Sequence, residues 1–195
     1  MSRWLIAVLV LASVASTASA DGFYYSEGFG GTRVHDELSA FMPDAFRIRA
    51  ALGMRRHQWA YEAWFAANVN NEVYSAQRPD LLTGGIDLKY IQPVASHLEV
   101  YLRGSAMVGG LDGGDFDAFE GRGLGVGAGI QLKGKGSILG LLWWPLFFTK
   151  VGPKMTAALW LDSGYEFYRL HGDKPTAIDA QLSTLTFGFA LGSDF

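Results

Sequence analysis

Near the end of the chain, Leu185, Phe187, Phe189 and Leu191 alternate with Thr184, Thr186, Gly188, Ala190 and Gly192. A period of two held over that length is a β-strand whose two faces meet different surroundings. One face is apolar and half aromatic, unsuited to water; the other is small and weakly polar. The same period recurs upstream. Residues 46–54 set Phe46, Ile48, Ala50 and Leu52 against Arg47, Arg49 and Ala51. Residues 59–69 set Trp59, Tyr61, Ala63, Phe65 and Val69 against Ala60, Glu62, Trp64, Ala66 and Asn68. The polar stretch Arg55-Arg56-His57-Gln58 between them reads as a hairpin turn.

Residues 84–92 place Ile86, Leu88 and Tyr90 opposite Asp87 and Lys89. Residues 97–108 place Leu98, Val100 and Leu102 opposite Glu99, Tyr101, Arg103 and Ser105, after a tight turn at 93–96. A symmetric turn would pair Asp87 with Arg103 and Lys89 with Tyr101, with Glu99 on the diagonal, and cross-strand opposite charges favour such pairing. Residues 121–133 alternate Leu124, Val126, Ala128, Ile130 and Leu132 with Gly123, Gly125, Gly127 and Gly129. Glycine inside a strand is otherwise unfavourable, so this face is expected to leave room for Trp64, Trp160 and the arginines. Residues 155–168 set Ala157, Leu159, Leu161, Tyr165 and Phe167 against Trp160, Asp162 and Glu166. The first strand, residues 23–34, leaves its facing open: Glu27 shares parity with Phe23, Tyr25 and Phe29 unless a bulge near Gly28 reverses it.

Composition places these eight strands. Arg3, the apolar run 4–14 and Ala18-Ser19-Ala20 before Asp21 form a secretory signal peptide over residues 1–20. That run falls short of the roughly 20 apolar residues of a spanning helix. There is no cysteine, hence no lipoprotein anchor and no disulfide. Removing the signal takes away one arginine and leaves 15 basic against 19 acidic residues, with no basic patch for nucleic acid. A chain with 25 glycines and 14% aromatics, whose later segments are too short for a membrane helix, fits a closed membrane sheet.

Long connections at 35–45, 70–82, 109–120 and 169–179 alternate with short ones at 55–58 and 93–96. One connection departs from this. Residues 134–154 are long and apolar, with Trp143, Trp144, Phe147 and Phe148 around Pro145. Two readings stand: a segment lying in the membrane interface, or longer sixth and seventh strands. Trp59 joins these four as a candidate interfacial aromatic.

The signal peptide, the alternating strands, the loop asymmetry and a closing strand followed by Phe195 resemble the small eight-stranded bacterial outer-membrane barrels of the outer-membrane protein A–like group. The resemblance implies an all-β fold, an eight-stranded antiparallel up-and-down transmembrane β-barrel over residues 21–195 with both termini periplasmic. It implies outer-membrane localisation, contact with outer-membrane lipids and lipopolysaccharide, and Phe195 as a signal for the assembly machinery. It also implies that a chain ending at its barrel lacks the peptidoglycan-binding domain of larger members.

In such a barrel a Lys or Arg facing lipid at the midplane costs about 2–4 kcal/mol, so the charged strand positions should point inward. The expected lumen set is Glu62, Asp87, Glu99, Asp162 and Glu166 with Arg47, Arg49, Lys89, Arg103 and Lys133. An eight-stranded interior is just wide enough to be filled by side chains. The expectation is therefore a plug with a structural or surface-interaction role; the alternative is a narrow channel for ions or small solutes.

Asp112, Asp115, Asp117 and Glu120 could bind a divalent cation, but their spacing is not that of a helix-loop-helix calcium site. A solvated loop is the better reading, with no metal or cofactor; cation bridging to lipopolysaccharide phosphates is the alternative. Lipid-modifying catalysis is the weaker alternative. The His-x-Ser of lipid A deacylases is missing, and the Asp162-Ser163 pair, which with His35 superficially resembles the palmitoyltransferases, lies mid-strand. The omptin-type proteases have ten strands, and His57, His97 and His171 stand without a nucleophile. A soluble lipocalin-like barrel would need the opposite polarity, apolar inside and polar outside.

Overall fold

A computed structural model of the chain describes residues 22–40, 42, 44–70, 80–112, 119–135, 155–171 and 177–193. These form eight antiparallel strands: β1 Gly22–Asp36, β2 Ala45–Arg56, β3 Trp59–Asn70, β4 Asp80–Pro93, β5 Leu98–Asp112, β6 Phe119–Lys135, β7 Met155–His171 and β8 Ala177–Ser193. Each pairs with the next, and β8 pairs with β1 to close the barrel. Closure leaves no strand edge, the condition for a sheet to satisfy its backbone in lipid.

The register sets the tilt. Paired partners run from Gly22 through Arg55, Ala60, Lys89, Arg103, Gly127, Gly164 and Thr184 to Thr32, ten residues along β1 from the start. With eight strands this corresponds to a strand tilt of about 40°. The 3–4 and 5–6 connections and their two counterparts lie at one end, here the loop end. The hairpin turns and the start of β1 lie at the other.

Alternation decides what faces where. Leu52, Phe65, Ile86, Leu102, Leu124, Val126, Leu185 and Phe187 are exposed outward, while charged and polar partners on the opposite parity are buried. This polarity is the reverse of a lipocalin's.

β1 resolves to one facing. Its register with β2 is unbroken from Gly22↔Arg55 to Thr32↔Ala45, so no bulge intervenes. Phe23 and Tyr25 point outward and Tyr24, Ser26 and Thr32 inward. Glu27 therefore lies on the outward face, where its carboxylate accepts a hydrogen bond from the Tyr25 hydroxyl. The three outward aromatics outweigh one acid in fixing the parity.

Three sequence expectations shift. The turn at 55–58 shrinks to His57 and Gln58, with His57 in the left-handed region at φ 58°; Arg55 and Arg56 belong to β2. The β4–β5 register is displaced by two: Asp87 faces Ser105 and Lys89 faces Arg103. The Leu98 carbonyl accepts from the amides of both Val94 and Ala95, and the turn is centred on Ser96, one residue later than the expected pairing requires. An even shift leaves every side chain on its predicted face. Third, strands run further toward the loop end than the apolar alternation does: β4 starts at Asp80, β7 reaches His171 and β8 starts at Ala177. Ladder hydrogen bonds do not depend on apolar side chains, so pairing continues past the apolar band.

Candidate functional site

The lumen is filled in layers. Nearest the hairpin turns, Arg55 grips Glu99 with both terminal nitrogens at 2.7 and 3.1 Å. Lys133 reaches the same carboxylate at 2.6 Å and Gln131 donates to it at 2.5 Å. Arg55 also donates through Nε to the His57 carbonyl at 2.8 Å. Sequence reasoning missed Arg55 by placing it in the turn. Its parity with Arg47 and Arg49 was the available signal.

The middle layer joins six strands, all but β6 and β8. Glu62 accepts from Lys89 at 2.5 Å, Tyr24 at 2.8 Å and Arg49 at 2.9 Å. The same Arg49 nitrogen reaches Asp87 at 2.8 Å, and the Trp64 indole donates to the other Asp87 oxygen at 2.6 Å. Arg103 binds Asp162 through Nε and Nη2 at 2.9–3.1 Å, and its remaining nitrogen donates to Ser105 at 2.7 Å. It lies only 3.9 Å from Asp87, which links the two groups. The Arg47 and Arg49 guanidiniums lie 5.5 and 5.2 Å from the Trp64 ring centroid, within cation–π range.

Toward the loop end, Arg47 pairs with both oxygens of Glu166 at 2.8 and 3.0 Å, and Tyr168 donates to Glu166 at 2.9 Å. Thr32 donates to Asn68, whose amide donates to the Leu81 carbonyl. All of these groups are buried except Lys133, which is partly exposed. Among the described residues, Tyr101 OH is the one buried side-chain polar atom without a hydrogen-bond partner.

Glycines make the long side chains fit. A β-carbon at Gly127 or Gly164 would collide with the Arg103 guanidinium, and one at Gly129 with the Tyr101 ring. Trp160 takes its room from Gly28 on β1 and Gly188 on β8, not from β6 as the sequence pattern suggested.

Above the ion pairs lies an apolar stopper. Between β1 and β2 a short 3₁₀ helix, Glu37–Ala40, carries Leu38 into the mouth. Leu38 and Met42 are fully buried with Val34, Leu81, Leu111, Leu170 and Leu182. The Met42 amide bonds the Leu38 carbonyl at 2.9 Å. The four-residue spacing of Leu38 and Met42 in the loop at 35–45 was the signal for this stopper.

Other predicted positions fall elsewhere. Trp59 is exposed on the outward face, edge-on to Tyr90 at 5.1 Å between centroids. Asp112 is the last residue of β5; Glu120, the second residue of β6, is exposed; Asp115 and Asp117 lie outside the described residues. Among the described residues no group of three metal-ligating side chains occurs. Trp143, Trp144, Phe147, Phe148 and Phe195 also lie outside them. Of the connection read at 134–154, Gly134 and Lys135 belong to β6, and residues 136–154 lie outside the described residues.

One pair was invisible in one dimension. His35 Nε2 lies 2.8 Å from Ser183 Oγ across the β1–β8 seam, on the outward face. Among the described residues no carboxylate hydrogen-bonds His35, so the base lacks the orienting group of a hydrolytic triad. Asp162 points into the lumen and Ser163 outward, so the Asp162-Ser163 pair does not form a site with His35.

A closed eight-stranded antiparallel barrel with an apolar exterior and a charged, filled interior has the architecture of the small outer-membrane β-barrels. Neisserial surface protein A has the same fold: its crystal structure matches with a TM-score of 0.56 at 18% identity, covering 90% of this chain and 98% of that one. Ail, the attachment invasion locus protein of Yersinia pestis, crystallised with the heparin analogue sucrose octasulfate, matches with a TM-score of 0.50 at 14% identity over 88% of this chain and 97% of its own. No protein-family model matches the chain, and no curated protein matches it in sequence.

Proposed function

We propose that this protein is an integral outer-membrane barrel, termini in the periplasm, whose lumen is closed and whose loop end serves a structural or surface-interaction role. The carrying observation is the saturated interior: Glu62, Asp87, Glu99, Asp162 and Glu166 each hold at least two donors, beneath a mouth filled by Leu38 and Met42. Buried carboxylates bound in this way have no free capacity to pass ions, and unpairing one costs several kcal/mol. The closed lumen turns attention to the loop end, and Ail, a barrel of the same fold, is found in complex with a heparin analogue.

Two measurements test this. The mature protein refolded in detergent should migrate differently on a gel before and after boiling; equal mobility together with solubility in plain buffer would remove the membrane reading. In planar bilayers the protein should show no steady conductance. Steady openings that vanish when Arg49 and Glu62 are neutralised together would overturn the plug.

A further inference from the structure

Where β8 closes on β1, the outward face carries a polar cluster in which the lumen has no part. His35 Nε2 lies 2.8 Å from Ser183 Oγ. The His35 ring stacks on the Tyr165 ring, 6.0 Å between centroids and 25° between planes. Tyr165 is itself held from two sides: its hydroxyl donates to the Gln181 side-chain carbonyl at 2.6 Å, and Phe167 lies edge-on at 4.8 Å. The register gathers the four polar residues on neighbouring strands, pairing Ser183 with Tyr165 on β7 and Gln181 with His35 on β1. All four are half-buried. A serine hydroxyl within hydrogen-bond reach of an imidazole nitrogen is the first requirement of an activated nucleophile, and a third group that orients the base is the second. Here the Tyr165 ring fixes the imidazole plane, where a triad uses a carboxylate.

The level of the cluster decides what it can meet. Toward the loop end, the outward face of β8 turns from Phe187 and Leu185, both exposed and apolar, to Ser183 and Gln181. Lipid ester linkages lie at such a boundary, between the hydrocarbon core and the headgroups. Two residues nearer the membrane centre, about 7 Å along the strands, Leu185 follows Ser183 on β8 and its register partner Ser163 follows Tyr165 on β7. Leu185 and Ser163 line one end of an exterior groove of about 500 Å³. Ser163, Ala128 and Leu102 are successive register partners, so the groove runs obliquely across β7, β6 and β5 toward the turn end.

We infer that Ser183 and His35 form a hydrolytic site for the ester-linked acyl chain of a membrane lipid, with the chain lying in the groove beneath. Ser183 Oγ bonds to the ester carbonyl carbon while its proton passes to His35 Nε2. The bond from that carbon to the lipid alcohol then breaks, and the alcohol leaves with the proton from His35. Water attacks the acyl group on Ser183 by the same route, giving up a proton to His35, and the fatty acid leaves as Ser183 regains its hydrogen. Gln181, whose side-chain oxygen is taken by Tyr165, keeps its amide nitrogen as a donor for the carbonyl oxygen as that oxygen gains charge. A water-soluble ester would leave the groove unused, and a lipid without an ester would leave the serine and histidine unused.

The inference rests on the membrane-spanning reading, whose failure the boiling-dependent gel shift reports separately. The test exposes the barrel in nanodiscs to a long-chain alkyl fluorophosphonate, which bonds to an activated serine with loss of fluoride, and locates the adduct by mass spectrometry. The wild type should be labelled on Ser183, and Ser183→Ala should take up no label. His35→Gln should slow labelling about a hundredfold. Ala128→Phe, which fills the groove, should slow the long-chain probe about tenfold more than a short-chain one. Nanodiscs of phosphatidylglycerol alone, and of phosphatidylglycerol with lipopolysaccharide, then report by fatty acid release which lipid supplies the ester. Absence of label on Ser183 in a barrel that shows the gel shift would overturn the site, as would equal labelling of His35→Gln. Equal slowing of both probes by Ala128→Phe, or labelling without fatty acid release from either lipid, would overturn the acyl-ester assignment.

Discussion

Arg47 and Leu38 are both fully buried in the same lumen, yet they are held in different ways. Arg47 is fixed by Glu166 from β7, a residue 119 positions away, and lies against Trp64 from β3. Its neighbours in the layer below are tied by carboxylates on β3, β4 and β7. Leu38 enters from a single loop and packs among apolar side chains without a directional bond to its side chain. The charged middle therefore couples distant strands and can open only with the barrel, whereas the mouth can lift with its loop. Buried ion pairs are weak sources of net stability, yet breaking one is expensive because a charge is left behind. Apolar packing has no such asymmetry.

The sharpest test of that contrast is Glu166→Ala. It strands the Arg47 guanidinium and should cost about 3–5 kcal/mol in urea unfolding from lipid vesicles. A loss under about 1 kcal/mol would show the middle to be no more tightly tied than the mouth. Gly164→Val should come next. Its side chain intrudes on Arg103 and pushes it off Asp162, an overpacking penalty of about 1–3 kcal/mol by the same assay. The smallest global effect is expected from Leu38→Ala combined with Met42→Ala. Global unfolding should move by less than about 1 kcal/mol, while hydrogen exchange at the Met42 amide quickens as the loop opens locally. A large global loss there would make the mouth an integral part of the barrel.

The lumen members could be read from parity alone. Arg49, Glu62 and Asp87 alternate with lipid-type residues, so the sequence names them as inward without any knowledge of their partners. Arg55 has the same parity but sits beside a turn, and turn residues are ordinarily solvated; only the two-residue hairpin at His57 and Gln58 pulls it into the strand. Partners were less legible. Asp87 was expected opposite Arg103, yet the β4–β5 register sets it opposite Ser105, and Arg103 instead crosses β6 to reach Asp162 on β7. That crossing depends on Gly127, whose missing side chain opens the path. His35 and Ser183 meet only because β8 closes on β1.

For every strand but the first, the sequence by itself determined which residues face outward and which inward, because the pleat makes facing a local property with a period of two. It also determined the number of strands, through the spacing of those alternating runs. Which charge meets which and where the 3₁₀ helix lodges were decided by the tertiary structure. Those depend on register, and on a ten-residue offset that appears only when the eighth strand joins the first. A sheet left open would keep every face and lose every one of those neighbours across the seam.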